Sequence, residues 1–207
     1  MDKKDKNNRS IIYNLLVDWF SKDPKRYNLI HLVINWGLPY KFVSNVIDLK
    51  PGEKILEIAC GPALILDYLK DNPYVGIDLN DKHLEYAKNK YKKRKNSQFI
   101  NSNILEYDFK NHGKFDKILM LGFMHHLPDD KLKNLLLIVP GLLNNENKNS
   151  CLVTFDPVRT KYHFISNKLC DLDQGRYVRN AEHYRNILNL NFNLDESNII
   201  TSRTKAS

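Results

Sequence analysis

The sequence predicts an α/β protein: a mostly parallel, doubly wound sheet with helices on both faces. Three observations predict it. Short runs rich in Ile, Leu, Val and Phe recur at 54–60, 74–79, 98–104, 115–122 and 150–157. Apolar residues at helical spacing fill the gaps, at about 62–71, 81–94 and 129–143. The first apolar run also leads through small residues, Ala59-Cys60-Gly61, into a helical pattern, which reads as strand, tight turn and helix start.

Each element has its own justification. At the N-terminus, Ile11, Ile12, Leu15, Leu16 and Trp19 give a helix over 10–20. Ile30, Val33, Ile34, Phe42 and Val46 give another over 26–47, with Pro24 and Gly37-Leu38-Pro39 as punctuation. Pro51-Gly52 is a turn. The strands that follow are continuously apolar rather than alternating, as strands covered on both faces are. Strands that alternate with helices imply parallel pairing through right-handed crossovers. Two more helical patterns in 158–190 break that rhythm and predict a small helical cap, and 192–203 is a last strand candidate. Asn144 to Asn149 reads as a low-complexity loop. The expected organisation is an N-terminal helical lid or extension over 1–50 and one main domain over 51–207, with the cap within it.

Composition narrows the function classes. A chain of 207 residues with 42% hydrophobic and 11% aromatic content is long and apolar enough for one well-buried domain. Cys60, Cys151 and Cys170 are widely spaced and form no CxxC pair, so reduced thiols are expected rather than a disulfide frame or a zinc site, and no metal is expected. No apolar run approaches the roughly 18 residues of a membrane span. The charged start, Met1-Asp2-Lys3-Lys4, lacks a signal core, so a cytoplasmic location is expected. The net charge of +8 is concentrated in Lys88 to Lys95, which closes a helix where cations are favoured. That run reads as a solvated face ahead of an anion-binding patch.

In sheets of this type ligands bind at the carboxyl ends of the strands, where strand order reverses. The turn after the first strand lacks the third small residue of a dinucleotide fingerprint, because Leu64 stands there, and it lacks the Lys-Ser/Thr pair of a phosphate loop. It does carry Glu57, and a carboxylate there suits a cofactor with a cationic amine and no pyrophosphate. The second strand ends in Asp78-Leu79, and Asp78 suits both hydroxyls of a ribose. The third ends in Asn103-Ile104, and Asn103 offers a donor and an acceptor to an adenine edge. The fourth ends at Leu121, followed by His125-His126-Leu127, a possible acid or base facing the ligand.

On these residues the chain resembles class I S-adenosylmethionine-dependent methyltransferases, the small-molecule branch with His-His-Leu after the fourth strand. The resemblance covers nearly everything from about residue 40. It implies a Rossmann-like methyltransferase fold with seven strands, the last a reversed hairpin strand. It implies S-adenosylmethionine as cofactor, with Glu57 near the methionine amine, Asp78 on the ribose and Asn103 on the adenine amino group. Ala59, Cys60, Gly61, Leu79, Ile104 and Leu121 complete the expected cofactor contacts. The family's acidic-x-Gly-x-Gly-x-Gly motif stands here as Glu57-x-Ala59-x-Gly61-x-Ala63, so two glycines are alanines. A less specific likeness, Asp171 to Arg179 and then Glu182-x-Tyr184, is to bacterial methyltransferases of glycolipid, polysaccharide or secondary-metabolite pathways.

The sulfonium methyl of that cofactor is already activated, so the protein must align the acceptor, exclude water and take up a proton. His125 and His126 are the expected catalytic residues. His163, Asp173, Arg176 and Arg179 are the expected acceptor contacts. The leading expectation is O-methylation of a small-molecule or glycan- or lipid-like acceptor. Two readings stay open beside it. One is an RNA or tRNA methyltransferase, suggested by the charge but without an Asn-Pro-Pro-Tyr type motif. The other is a non-catalytic cofactor-binding protein of the same fold.

Overall fold

The computed structural model describes residues 38–161 and 176–194. The elements are α1 (Leu38–Val46), β1 (Ile55–Ile58), β2 (Tyr74–Asp78), α2 (Asp81–Lys90), β3 (Ser97–Asn101), β4 (Lys117–Leu121), α3 (Asp129–Leu142), β5 (Cys151–Phe155) and α4 (Ala181–Leu188). The five strands form one sheet in the order β3-β2-β1-β4-β5. Every neighbouring pair is parallel. The order reverses between β1 and β4, so the switch point lies where the sequence places its motifs.

Alternation along the strands sends side chains to two cores. Leu56, Ile58, Val75, Ile77, Ile118 and Met120 face α3 and α4, which contribute Leu132, Leu135, Leu136, Val139, Tyr184, Ile187 and Leu188. Ile55, Tyr74 and Leu119 face the other way, towards Val43 and Ile47 of the α1 segment and Ala87 of α2. The sheet is thus covered on both faces, as its apolar strands predict. Asn80 caps α2 by accepting from the backbone N–H groups of Lys82 and His83 at 3.1 and 3.3 Å.

One expectation is corrected. The helix expected at 62–71 is a single 3₁₀ turn, Leu64–Asp67. Ala63 enters it in the left-handed conformation, φ 55°. Arg94 then takes the carbonyls of Leu69 and Lys70, which a longer helix would use for its own ladder. Ile65, Leu66 and Leu69 are still buried, and that spacing is what imitates a helix. The Asn144–Asn149 loop is an ordered network. The side-chain amides of Asn144 and Asn147 donate to Asp116 at 2.9 and 2.8 Å, and Asn147 also donates to Glu53 at 2.9 Å. This network sits at the amino ends of β1 and β4, opposite the switch-point edge. The N-terminal helix at 10–20, most of that at 26–47, and most of the strand at 192–203 lie outside the described residues. Residues 192–194 carry no strand.

Ala59, Gly61 and Ala63 all have positive φ, at 57°, 52° and 55°. An L-residue with a Cβ costs roughly 1–2 kcal/mol there, partly offset by the entropy a glycine loses on folding. Ala59→Gly and Ala63→Gly are therefore expected to stabilise the protein by about 0.5–1 kcal/mol each, read as a rise of roughly 1–3 °C in Tm by calorimetry. A fall in Tm would contradict the strained-turn account.

Candidate active site

The turn after β1 is fastened to the end of β2. The Gly61 N–H donates to Asp78 Oδ2 at 2.7 Å, and the Asn80 N–H donates to Oδ1 at 2.8 Å. Each carboxylate oxygen keeps a second lone pair, and the group is half-buried at the strand end. A pair of vicinal hydroxyls fits that acceptor set. Ala59, Cys60 and Gly61 form the turn beside it, and His83 from α2 lies against Gly61. Leu79 is 72% exposed, an apolar side chain beside a polar anchor.

Glu57 is placed differently from the open carboxylate the motif suggests. It is buried, and the Tyr74 hydroxyl donates to its Oε2. Burial pushes its carboxyl up to about 8, the Tyr74 bond draws it down, and the Asp78 charge raises it again. Cys60 is buried in the same cluster, and burial raises its thiol. Gly76 makes room for both: a Cβ there would lie 2.7 Å from Cys60 Sγ and 2.9 Å from the Tyr74 oxygen.

Asn103 is half-buried beyond β3 and holds its own turn. Its Oδ1 accepts from the Leu105 N–H at 3.1 Å and its amide donates to Glu106 at 2.8 Å. Ile104 packs on the core shared with α3 and α4, and Leu121 on the core shared with α1 and α2.

His125 and His126 lie on a 3₁₀ turn, Met124–His126, after β4. Their rings pack at 4.2 Å between centroids. His126 is exposed and His125 is buried. His125 Nδ1 is 2.6 Å from Asp156 Oδ1, and the His125 backbone N–H donates to the same oxygen at 3.1 Å. Asp156 follows β5, and burial raises its carboxyl while His125 lowers it. Its Oδ2 is buried with no hydrogen-bond partner, and so is the Tyr184 hydroxyl, on which the Asp156 charge acts. Asp156 is not among the residues the sequence points to, and Tyr184 enters there only within the Glu182-x-Tyr184 likeness. Asp156 ends its strand as Asp78 does, and that signal could have found it.

Arg179 is corrected from acceptor contact to structural clamp. It is buried, and its donors reach Asp129 Oδ1 from Nε and Nη2 at 2.8 and 2.6 Å, the Met124 and Tyr177 carbonyls at 3.0 Å, and the Leu127 carbonyl at 2.7 Å. These five bonds exhaust its five N–H groups. The Tyr177 N–H adds a bond to the His125 carbonyl at 3.0 Å. Residues 177–179 therefore strap the histidine turn from outside. Arg176 is exposed beside the strap. His163 and Asp173 lie outside the described residues. Part of the basic run is tied to the fold: Lys90 pairs with Asp67, and Arg94 bonds backbone carbonyls. No described helix is long and apolar enough to cross a membrane.

Arg179→Ala removes all five of these bonds from a buried clamp. It is expected to destabilise the protein by about 2 kcal/mol or more in urea unfolding, whereas Arg176→Ala stays within about 0.5 kcal/mol.

Comparison with known proteins agrees with this architecture. Residues 55–145 match a family model described as a methyltransferase domain. A ubiquinone biosynthesis O-methyltransferase of Coxiella burnetii is 25% identical over 186 residues, spanning 86% of this chain and 78% of the relative. A solved structure of a proposed O-methyltransferase from Nostoc punctiforme has a TM-score of 0.65 at 15% identity, covering 83% of this chain and 53% of that one. The chain thus spans about half the length of that structure. An S-adenosylmethionine-dependent methyltransferase from Clostridium acetobutylicum has a TM-score of 0.54 at 18% identity, covering 65% of this chain and 57% of the other. The segment that matches the methyltransferase domain model, residues 55–145, is thus the one that carries β1 to β4, the reversal of strand order and the left-handed turn fastened to Asp78.

Proposed function

We propose that this enzyme methylates a hydroxyl oxygen of a small-molecule or glycan- or lipid-like acceptor, with His125 as general base. The observation that carries this reading is the His125–Asp156 pair at the ends of β4 and β5, beside the switch point. Glu57, Asp78 and the 59–61 turn would hold the cofactor, with Asn103 and Leu79 at its adenine end. When bound, that cofactor supplies an electrophilic methyl group. The residues here bind, orient and move a proton. Asp156, bonded to Nδ1, favours the tautomer that leaves His125 Nε2 as a proton acceptor. Burial of both groups keeps water from competing. The strap at 177–179 holds the carbonyls of Met124, His125 and Leu127, so the histidine is positioned by Asp156 after β5 and by this strap together.

The Coxiella relatives are O-methyltransferases of ubiquinone biosynthesis, which supports oxygen ahead of nitrogen or carbon as the atom methylated. His126, exposed and packed on His125, is the second candidate to touch the acceptor. Arg176, together with His163 and Asp173, would meet an anionic or polar part of it. Nucleic acid is the less favoured partner, because Lys90 and Arg94 of the basic run are engaged within the fold.

The test is transfer of labelled methyl from S-adenosylmethionine to a panel of phenolic, glycosyl and prenyl-lipid hydroxyl acceptors, with tRNA as a parallel substrate. Alkali-stable ether label in one hydroxyl acceptor is expected. Label in tRNA alone would overturn the reading. His125→Asn is expected to lower kcat by about 10²–10⁴ while S-adenosylhomocysteine affinity stays within about twofold, and Asp156→Asn by at least about tenfold. Equal activity of His125→Asn and wild type would remove the base from the mechanism.

A further inference from the structure

The β1–β2 register places Glu57 opposite Gly76, and alternation puts Tyr74 on the same face, two residues before that glycine. The absence of a Cβ at Gly76 lets the Tyr74 ring and the Cys60 thiol converge on the Glu57 carboxyl. Both partners of the Tyr74–Glu57 bond are buried, with Tyr74 1% and Glu57 2% exposed. Around them stand Val43, Ile47, Ile55 and Leu119, and the Phe99 ring lies 5.9 Å from that of Tyr74. Among the described residues, the titratable groups facing Glu57 are Tyr74, Cys60, Asp78 and, more distantly, Tyr91. Each is neutral or anionic. A carboxyl in that setting is neutral until a cation reaches it.

We propose that Tyr74 is a positioning residue for cofactor capture, its hydroxyl supplying the donor that lets the buried Glu57 carboxyl release a proton as the ligand's ammonium group arrives. This rests on the reading that Glu57 meets the amine of the cofactor. The O–H bond of the Glu57 carboxyl breaks, the proton passes to buffer, and the carboxylate stays bonded to Tyr74 on one side and the ammonium on the other. A donor hydrogen bond favours the ionised carboxyl. Removing it makes proton release harder and therefore weakens capture most at low pH.

The experiment is calorimetric titration of the full chain with S-adenosylhomocysteine, in phosphate and in Tris, from pH 6 to 9. At pH 7 the wild type is expected to release close to one proton per ligand, seen as a buffer-dependent heat. Comparing variants at each pH cancels the ligand's own titration. Tyr74→Phe is expected to bind about tenfold more weakly at pH 7 and within about twofold of wild type at pH 9. Glu57→Gln, which keeps the shape, is expected to release no proton and to bind with no pH dependence of its own. A buffer-independent heat for wild type, or a Tyr74→Phe deficit that is the same at every pH, would overturn the inference and leave the cofactor reading standing. No binding at any pH would overturn both.

Discussion

The bond from the Gly61 N–H to the Asp78 carboxylate is the interaction on which the site depends. It joins the turn after β1 to the end of β2, two strands that are neighbours in the sheet but 17 residues apart at these positions. Without it the turn has little to hold its unusual backbone. Three alternate residues, Ala59, Gly61 and Ala63, are left-handed, and two of them carry a Cβ that disfavours the conformation. Strain of this kind persists only where the surroundings over-determine it. Burial of Ala63 against the core and the Asp78 latch do so here. Asp78 is thus a structural acceptor at the same strand end where the proposed function needs a partner for a ribose.

The acceptor side is built on a different principle. A turn of three residues after β4 has only two backbone hydrogen bonds of its own, from the His126 and Leu127 N–H groups, and further bonds reach it from outside. Asp156 holds His125 from β5, and Arg179 and Tyr177 hold the carbonyls of residues 124, 125 and 127. Arg179 in turn is steered by Asp129 at the start of α3, whose carboxyl the arginine keeps below the usual range against its partial burial. Two elements distant in sequence therefore set the orientation of one imidazole. Buried polar groups left without partners, Asp156 Oδ2 and the Tyr184 hydroxyl, lie in this same region. They are the kind of residual acceptor and donor that a polar ligand or water satisfies.

Much of this was legible in the residues. Apolar runs bounded by turn signals mark all five strands within a few residues, most plainly β1, β2 and β4, which are buried on both faces and so mostly apolar. The αβ alternation then forces parallel pairing and places Glu57, Asp78, Asn103 and His125 at strand ends. The 62–71 helix was misread because burial of Ile65, Leu66 and Leu69 follows helical spacing, while the left-handed Ala63 and the Arg94 bonds to Leu69 and Lys70 are invisible in a local window. Arg179 was misread for a related reason. A cation in a loop reads as a substrate contact until its burial and its five hydrogen bonds are known.

The sequence by itself determined the sheet and the edge at which its strand-end motifs gather, since these follow from patterns that repeat at short range. Only the tertiary structure decided which side chains work in pairs. Tyr74 meets Glu57 across 17 positions, His125 meets Asp156 across 31, and Arg179 meets Met124 across 55. Long-range partners set protonation and orientation, and no local pattern encodes them. Glu57 shows the difference most plainly: as a letter it is an anion, but folded beneath Tyr74 and away from water its carboxyl is pushed up to about 8.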